Sequence, residues 1–489
     1  MKHTQSIARL MTMSVAVVAL VTSGIAPAYA GGGDAPMPAQ MMEPPVPAEP
    51  APAPMAEMSG GDLSTLSHAV NVGVNTHPRY GIVANNRRAT DEELRQAKAL
   101  YYPSIDARAD YGFEYTDDVQ TRAGIGDDTE SLTRYDAGIT LTQMLFDGFE
   151  AKYENQRQKH RVDSASHRVR ETSEFLGLDI VEAYLDVIRQ RQLLGIAREN
   201  IQQHNDILAQ INDAAGAGRS TQADVEQSRS RLAAARAQEA SVLQALREAE
   251  ANFINTVGEA PGDLQVPGVP GNALAANVDE EVRAALTTNP TLDIRTSDID
   301  TAESEIGATS ATFYPQLDLQ LNGRQGDDLG GIIGKDKSAS ALVVANWNLF
   351  RGGADVARKR EFIYRKAQAS EERANTVRAV ESDVRQTWAQ MVAAGERAKQ
   401  FEEQAAANQQ VVSAYMDQFE LDRRTLLDVL DSQNEWFVSR SNMINNEILQ
   451  MFAVYRLLAL KGNLLPSLNV AYPAEADPKN LTLTKEKAS

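Results

Sequence analysis

Beyond Tyr102-Pro103 the chain takes up a period of two. Ile105, Ala107, Ala109, Tyr111, Phe113 and Tyr115 alternate with Asp106, Arg108, Asp110, Gly112, Glu114 and Thr116. After a polar stretch, Asp117 to Ser131, the alternation resumes with Tyr135, Ala137, Ile139 and Leu141 against Arg134, Asp136, Gly138 and Thr140. It returns later as Leu317, Leu319 and Leu321 against Asp318, Gln320 and Asn322, then as Ala341, Val343, Ala345 and Trp347 against Ser340, Asn346 and Asn348. Such alternation marks strands with one apolar face and predicts two hairpins, about 104–145 and 316–349. In a water-soluble protein that face would rest on a core. Here the flanking segments are very polar helices that offer no lid, and the second face is charged, which suits a membrane β-barrel with a wet lumen. Tyr111, Phe113, Ile139, Leu141, Leu319, Leu321, Val343 and Trp347 are the expected lipid-facing positions. Strands of ~9–11 residues span at a tilt. Four strands cannot close, and lipid does not tolerate an open edge, so several chains would have to build one barrel.

Each hairpin leads into a long helical pattern. Residues 149–214 hold no proline and only two glycines, Gly177 and Gly195, enough for a helix on the order of 100 Å. Ile180, Val187, Leu194, Ile201 and Leu208 share one heptad position, and Ala183, Ala197 and Ile211 the position three later, which is a coiled-coil seam. The second long helix, about 354–420, carries Val384, Met391, Ala398, Ala405 and Val412 at its heptad positions, side chains small enough for close helix approach. The first pattern breaks at Ala215-Gly216-Ala217-Gly218 and restarts at Thr221-x-x-Asp224; the second restarts at Thr425-x-x-Asp428. Both restarts are capping boxes, with Thr221 and Thr425 as the caps. Return helices of about 222–257 and 426–461 follow. A Pro-, Gly- and Asn-rich equatorial segment, 258–278, leads to another short helix, about 291–312, and residues 79–100 form its counterpart.

These elements are two copies of one unit. Pro78 and Pro103 stand 25 apart, as do Pro290 and Pro315. Leu145-Phe146-Asp147-Gly148 recurs as Leu349-Phe350-Arg351-Gly352, Asp224 as Asp428 and Gly258 as Gly462, all displaced by 204. Length differs only between Pro103 and Phe146 (43 residues) and between Pro315 and Phe350 (35), and length changes in repeats map to loops. The copies are assigned to 62–278 and 279–473.

Lys2, His3 and Arg9 precede the apolar run Ser14 to Val21, and Ala28-Tyr29-Ala30 supplies a cleavage site, so 1–30 reads as a secretory signal peptide. Residues 31–61 hold eight of the nineteen prolines and read as a disordered arm, with too few core-forming residues to offset chain entropy. Ala474 to Ser489 is a polar C-terminal tail. Cysteine is absent, and a net charge of −19 argues against nucleic acid as a partner.

The duplicated plan, the Asn-Pro and Tyr-Pro punctuation, Leu145-Phe-Asp-Gly148 and the turn Arg424-Thr-Leu-Leu-Asp428-Val-Leu-Asp431 resemble the TolC family of outer-membrane export channels, from Leu63 to about Leu468. Within the family the chain looks like the type I secretion branch. The resemblance implies a mainly α protein with a membrane β-barrel portion: a homotrimer with a twelve-stranded barrel in the outer membrane, joined to a periplasmic α-helical barrel. It also implies an inner-membrane ABC transporter and a periplasmic adaptor as partners, with no catalytic chemistry and no cofactor. The family's acidic periplasmic constriction maps to Asp428 and Asp431, and its gate-locking pair to Arg424 and Asp224. The usual aromatic hydroxyl near the lock falls on Phe419 and the usual glycine of the second turn on Asp422, two departures that weaken the expected lock.

For Asp224 and Asp428 the competing role is local capping, and for Asp431 a solvated surface charge. His160 and His167, with Asp163 between them, lie on one helix surface, which is a poor metal site. No phosphate loop, nucleophile elbow or HExxH motif occurs. A periplasmic coiled-coil adaptor or scaffold would account for the heptads but not for two hairpins at matched positions. Within the channel class, a duct for small-molecule or multidrug efflux is the alternative to protein export.

Overall fold

The computed structural model describes residues 66–117, 119, 130–268, 273–421 and 423–480. The expected signal peptide, the Pro-rich arm, Asp422 and the end of the polar tail lie outside them. The first copy comprises α1 (Leu66–Thr76), α2 (Pro78–Ala99), β1 (Ser104–Thr116), β2 (Glu130–Phe146), α3 (Glu150–Gly216) and α4 (Gln222–Val257). The second comprises α5 (Val278–Thr288), α6 (Pro290–Thr309), β3 (Gln316–Asp327), β4 (Lys335–Asn346), α7 (Ala354–Glu420) and α8 (Leu426–Leu460), followed by the single turn α9 (Leu464–Ser467). Helices α3 and α7 are each 67 residues long, about 100 Å. Against them stand two shorter pieces per copy, 22 and 36 residues in the first, so the staves on either side are of similar height. Periodicity does not indicate α1 or α5. Both have 11 residues, and tertiary burial holds them, with Val70 and Val74 of α1 fully buried.

Prolines set where the short helices begin. Pro78 and Pro290 open α2 and α6 at the first helical position, where the missing N–H would have no helical partner. His77 and Asn289 cap them, accepting the backbone N–H of Arg79 and Leu292. At the other end Tyr102 and Tyr314 leave the helical region before Pro103 and Pro315, as the residue before proline must, and the strands follow.

Most of the heptad stripe of α3 is buried, with Ile201 and Leu208 half-buried toward its end. Ile180, Val187 and Ile211 have no exposed surface, and Leu194 and Ala197 are also buried. Tyr184, Leu176 and Val181 on α3 meet Val70 of α1, Phe253 of α4, Tyr455 and Leu458 of α8, and Leu464 and Leu465 of α9 in the main apolar cluster. Gly177 sits where the side chains of α9 press on the α3 backbone. A Cβ there would stand 2.8 Å from the Leu465 side chain. Two tyrosines tie the irregular segment 259–268 to this core: Tyr184 donates to the Gln265 carbonyl (2.8 Å) and Tyr455 to that of Gly268 (2.9 Å).

The second copy ends on the first. Glu174, fully buried on α3, accepts the N–H groups of Leu464 (2.8 Å) and Leu465 (3.3 Å) and bonds the Tyr472 hydroxyl. Tyr472 also donates to the Gly462 carbonyl (2.8 Å). A phenol has one proton, so both tyrosine contacts are satisfied together when Glu174 is protonated and donates to the phenolic oxygen. Burial raises the Glu174 carboxyl to a pKa of about 7. Within the polar tail Glu475 is buried, taking the Tyr80 hydroxyl (2.9 Å) and Arg88 (2.7 Å) from α2.

A carboxyl whose pKa is raised in the folded state binds more protons folded than unfolded, so its contribution is present in full below pH ~4.5 and is lost as pH rises through about 7. Thermal unfolding of the purified protein is therefore expected to show stability falling by on the order of a few kcal/mol between pH 4.5 and 8 from this site. Glu174→Gln should flatten that slope. An unchanged slope would remove Glu174 as its source.

Candidate channel gate and membrane face

At one end of the helices, both turns restart through the same capping geometry. Thr221 Oγ1 accepts the Asp224 N–H (3.2 Å), while Asp224 accepts the Thr221 N–H (2.8 Å) and hydroxyl (2.7 Å). Thr425 and Asp428 repeat the arrangement at 3.3, 3.3 and 2.8 Å. These bonds hold both carboxyls below the usual aspartate range, through the Thr221 backbone first for Asp224 and the Thr425 side chain first for Asp428. Beneath the turns Ile207, Ile211, Val225, Leu426, Val429 and Leu430 form a small buried cluster, which keeps α3, α4 and α8 together.

Asp431, one turn past Asp428, points toward the first copy. Arg231 of α4 meets it at 3.0 Å, and both side chains are about half exposed. No local signal marks Arg231: it lies 200 positions from Asp431 and acquires a role only when α4 lies beside α8. Half of the expected acidic pair is therefore matched by a cation.

The Arg424–Asp224 pair is not formed within the chain. Arg424 places its guanidinium 4.1 Å from the Tyr415 ring centroid, donates to Gln418 (3.1 Å) and lies 3.8 Å from Asp428. Asp224 takes the Ser220 hydroxyl (3.0 Å) in addition to its cap. The reason is local: each residue finds closer partners on its own turn. Phe419 packs against the apolar cluster, and the aromatic group beside Arg424 is Tyr415, one helical turn earlier.

At the other end, β1-β2-β3-β4 form one antiparallel sheet in that order. Ala107 stands opposite Ile139, Leu141 opposite Leu321, and Leu319 opposite Val343. Cross-strand partners share a face, so Tyr111, Phe113, Ile139, Leu141, Leu319, Leu321 and Val343 all lie on one side, and Trp347 continues the alternation just beyond β4. Tyr111 is 80% exposed, Phe113 73% and Val343 65%. The opposite face carries an ionic ladder. Arg134 bridges Asp110 (2.6 Å) and Glu114 (3.2 Å), and Arg324 bonds Asp136 across the strand pair (2.8 Å). Among the described residues no helix is long and apolar enough to cross a membrane.

Long antiparallel helices continued by a sheet with one apolar and one ionic face define a channel protein. The profile of the outer membrane efflux protein family matches twice, over residues 83–259 and 282–463, and the chain belongs to that family. It is 25% identical over 382 residues to the outer membrane efflux protein BepC of Brucella suis biovar 1, covering 77% of this chain and 80% of BepC. It is 24% identical over 409 residues to SrpC of Pseudomonas putida, described as a solvent efflux pump outer membrane protein, covering 77% and 83%. A crystal structure of a membrane protein from Pseudomonas aeruginosa superposes with a TM-score of 0.72 at 18% identity, covering 81% of this chain and 90% of that one. The protein is thus an outer-membrane efflux channel with a periplasmic helical part, of a family of ducts and not of enzymes.

Each capping box ties a restart together, so Thr221→Ala and Thr425→Ala are each expected to cost about 0.5–2 kcal/mol. Hydrogen exchange would detect the loss as faster opening of the first turns of α4 and α8. Protection unchanged in both variants would assign the order of the tip to its apolar cluster.

Proposed function

We propose that this chain is the outer-membrane duct of a tripartite exporter of the type I secretion kind. Three copies close one barrel of twelve strands in outer-membrane lipid. An inner-membrane ABC transporter, reached through a periplasmic adaptor, loads a protein substrate into the helical tunnel. The observation that carries this reading is the exposed apolar face of a sheet whose outer strands, β1 and β4, have no partner among the described residues. Residues such as Tyr111 and Val343 meet lipid, and the ladder of Arg134, Asp136 and Arg324 faces the lumen. A second reading, a duct for small molecules, is favoured by the likeness to a solvent efflux pump component. Deletion of the gene distinguishes them: loss of a secreted protein supports the first, and sensitivity to solvents and drugs with an intact secretome supports the second.

The gate is assigned to the tip. Asp428 and Asp431 from three copies supply the acidic constriction, with Asp428 serving as both cap and lining charge. Clustered carboxylates at a narrow opening bind cations and repel anions. The Arg424–Asp224 pair is assigned to contacts between neighbouring copies.

Envelope fractionation should recover the protein as a detergent-extracted oligomer of the outer membrane, and a soluble periplasmic monomer would end the membrane reading. In planar bilayers, replacing both Asp428 and Asp431 by Ala should relieve block by a multivalent cation. Arg231→Ala should strengthen block roughly two- to fivefold, the scale of one screened ion pair. If the double replacement leaves block unchanged, the constriction lies elsewhere. For Arg424→Ala and Asp224→Ala, effects on open probability that add in free energy would exclude their coupling.

A further inference from the structure

One turn beyond the small apolar cluster of the tip, α3 and α4 bury a polar layer. Asn200 and His204 of α3 and Ser228 of α4 are 8%, 5% and 1% exposed. Asn200 Oδ1, His204 Nδ1 and Ser228 Oγ have no hydrogen-bond partner among the described residues. Burying a polar atom without a partner is costly. Of the three side chains, only the imidazole changes charge near neutral pH.

The second copy shows that the helical wall does not require a histidine at this depth. Asn408 is the counterpart of His204, displaced by 204, and its amide donates to Ser439 Oγ on α8 (3.4 Å). Glu435 is the counterpart of Arg231. Where the second copy has a partnered neutral amide and a carboxylate, the first therefore has an unpartnered titratable ring and a cation.

That cation also reaches the gate. Arg231, one turn past Ser228 on α4, bears electrostatically on the His204 ring, and its guanidinium meets Asp431 of α8 at 3.0 Å. The other charged groups of the layer are engaged elsewhere. Arg440 of α8 takes Glu199 of α3 at 2.7 Å, and Asp206 of α3 accepts the Gln202 amide (2.9 Å). From α8 the layer also receives Gln433, which donates to Gln203. Burial first and Arg231 second hold the imidazole below the usual histidine value of 6.5. The packed tip thus binds a proton on His204 more weakly than an exposed ring does. Its stability is whole above pH 6.5 and is lost as pH falls through the lowered value.

We propose that His204 is a proton switch of the tip: its protonation beside Arg231 parts α4 from α3, breaks the Arg231–Asp431 contact between the two copies and opens the duct. This switch rests on the tip gate assigned above and adds the group that regulates it. Arg231 is the relay, since it is the one side chain that answers to both His204 and Asp431. With one proton taken up per chain, the ratio of parted to packed tips changes by at most about tenfold per pH unit.

Single-channel recording in planar bilayers between pH 7.5 and 5.5 tests the switch, a window above the ordinary range of aspartate. Wild-type open probability should rise severalfold as pH falls. His204→Asn, which installs the side chain of the second copy, should hold its pH 7.5 value throughout. Glu174, with a pKa of about 7, and His167 are also perturbed. They lie about 45 and 55 Å away along α3 and are common to both proteins, so they cannot produce a difference between them. Arg231→Ala should raise open probability at pH 7.5 and shrink the response, and an unaltered response would overturn the relay. Deuterium exchange at the imidazole C2 position, read by mass spectrometry on the wild-type oligomer, needs no variant. It should place the His204 midpoint below 6.5, and a midpoint at or above 6.5 would overturn the switch. Equal pH responses in wild type and His204→Asn would overturn it as well, while relief of multivalent-cation block on replacing Asp428 and Asp431 would leave the gate standing. Block indifferent to both carboxylates would instead end the gate assignment, and with it the route through Asp431.

Discussion

An unpaired peptide group in hydrocarbon costs several kcal/mol, and the organisation of this molecule follows from that cost. A four-stranded sheet with an apolar face belongs in lipid, but its outer strands present unpaired N–H and C=O groups along their length. The debt is removed only by another copy at each edge. Oligomerisation is then a condition for the sheet to sit in the membrane, and it dictates the helices below, which must stand as staves of a common wall. Equal 67-residue lengths for α3 and α7 follow from the same requirement, since staves of different height would not share one rim.

Water reaches the helical wall, and different forces hold it. The main apolar cluster around Tyr184, Phe253 and Tyr455 joins both copies at the level of the irregular segment 259–268. There the second copy ends on the first through Glu174 and Glu475. Burying a carboxylate is costly unless it is bonded or neutral, and Glu174 meets that cost with two backbone N–H groups, a tyrosine and a raised pKa. Polar groups are used here for direction, since they define where the chain end must lie. The apolar cluster provides most of the adhesion.

The tip is built in the opposite manner. Its apolar cluster is small, and its ionic contacts are half exposed and so individually weak. Asp431 with Arg231 and Arg424 with Tyr415 are contacts that solvent and salt attenuate. A structure secured strongly at the equator and weakly at one end concentrates motion at that end. This distribution suits the gate proposed for the tip, which would open without disturbing the barrel.

Elements whose physics is local were legible in the chain itself. A period of two marked the strands and their apolar face, since the alternation of Cβ directions needs no tertiary information. Ile180, Val187 and Ile211 revealed the buried seam of α3 through the heptad, and Thr221-x-x-Asp224 and Thr425-x-x-Asp428 revealed the restarts because a capping box closes within four residues. Duplication revealed itself through constant displacement. What depends on the approach of distant segments was hidden. Helices α1 and α5 are too short to carry a persistent period and are held by their neighbours. Arg231 faces Asp431 only because α4 and α8 are packed side by side. Glu174 reads as one more polar helix position until Leu464 and Tyr472 arrive beside it. Arg424 and Asp224 stay apart within the chain for the same reason: sequence offers partners by charge, whereas distance decides between them, and Tyr415, Gln418 and Asp428 lie nearer to Arg424.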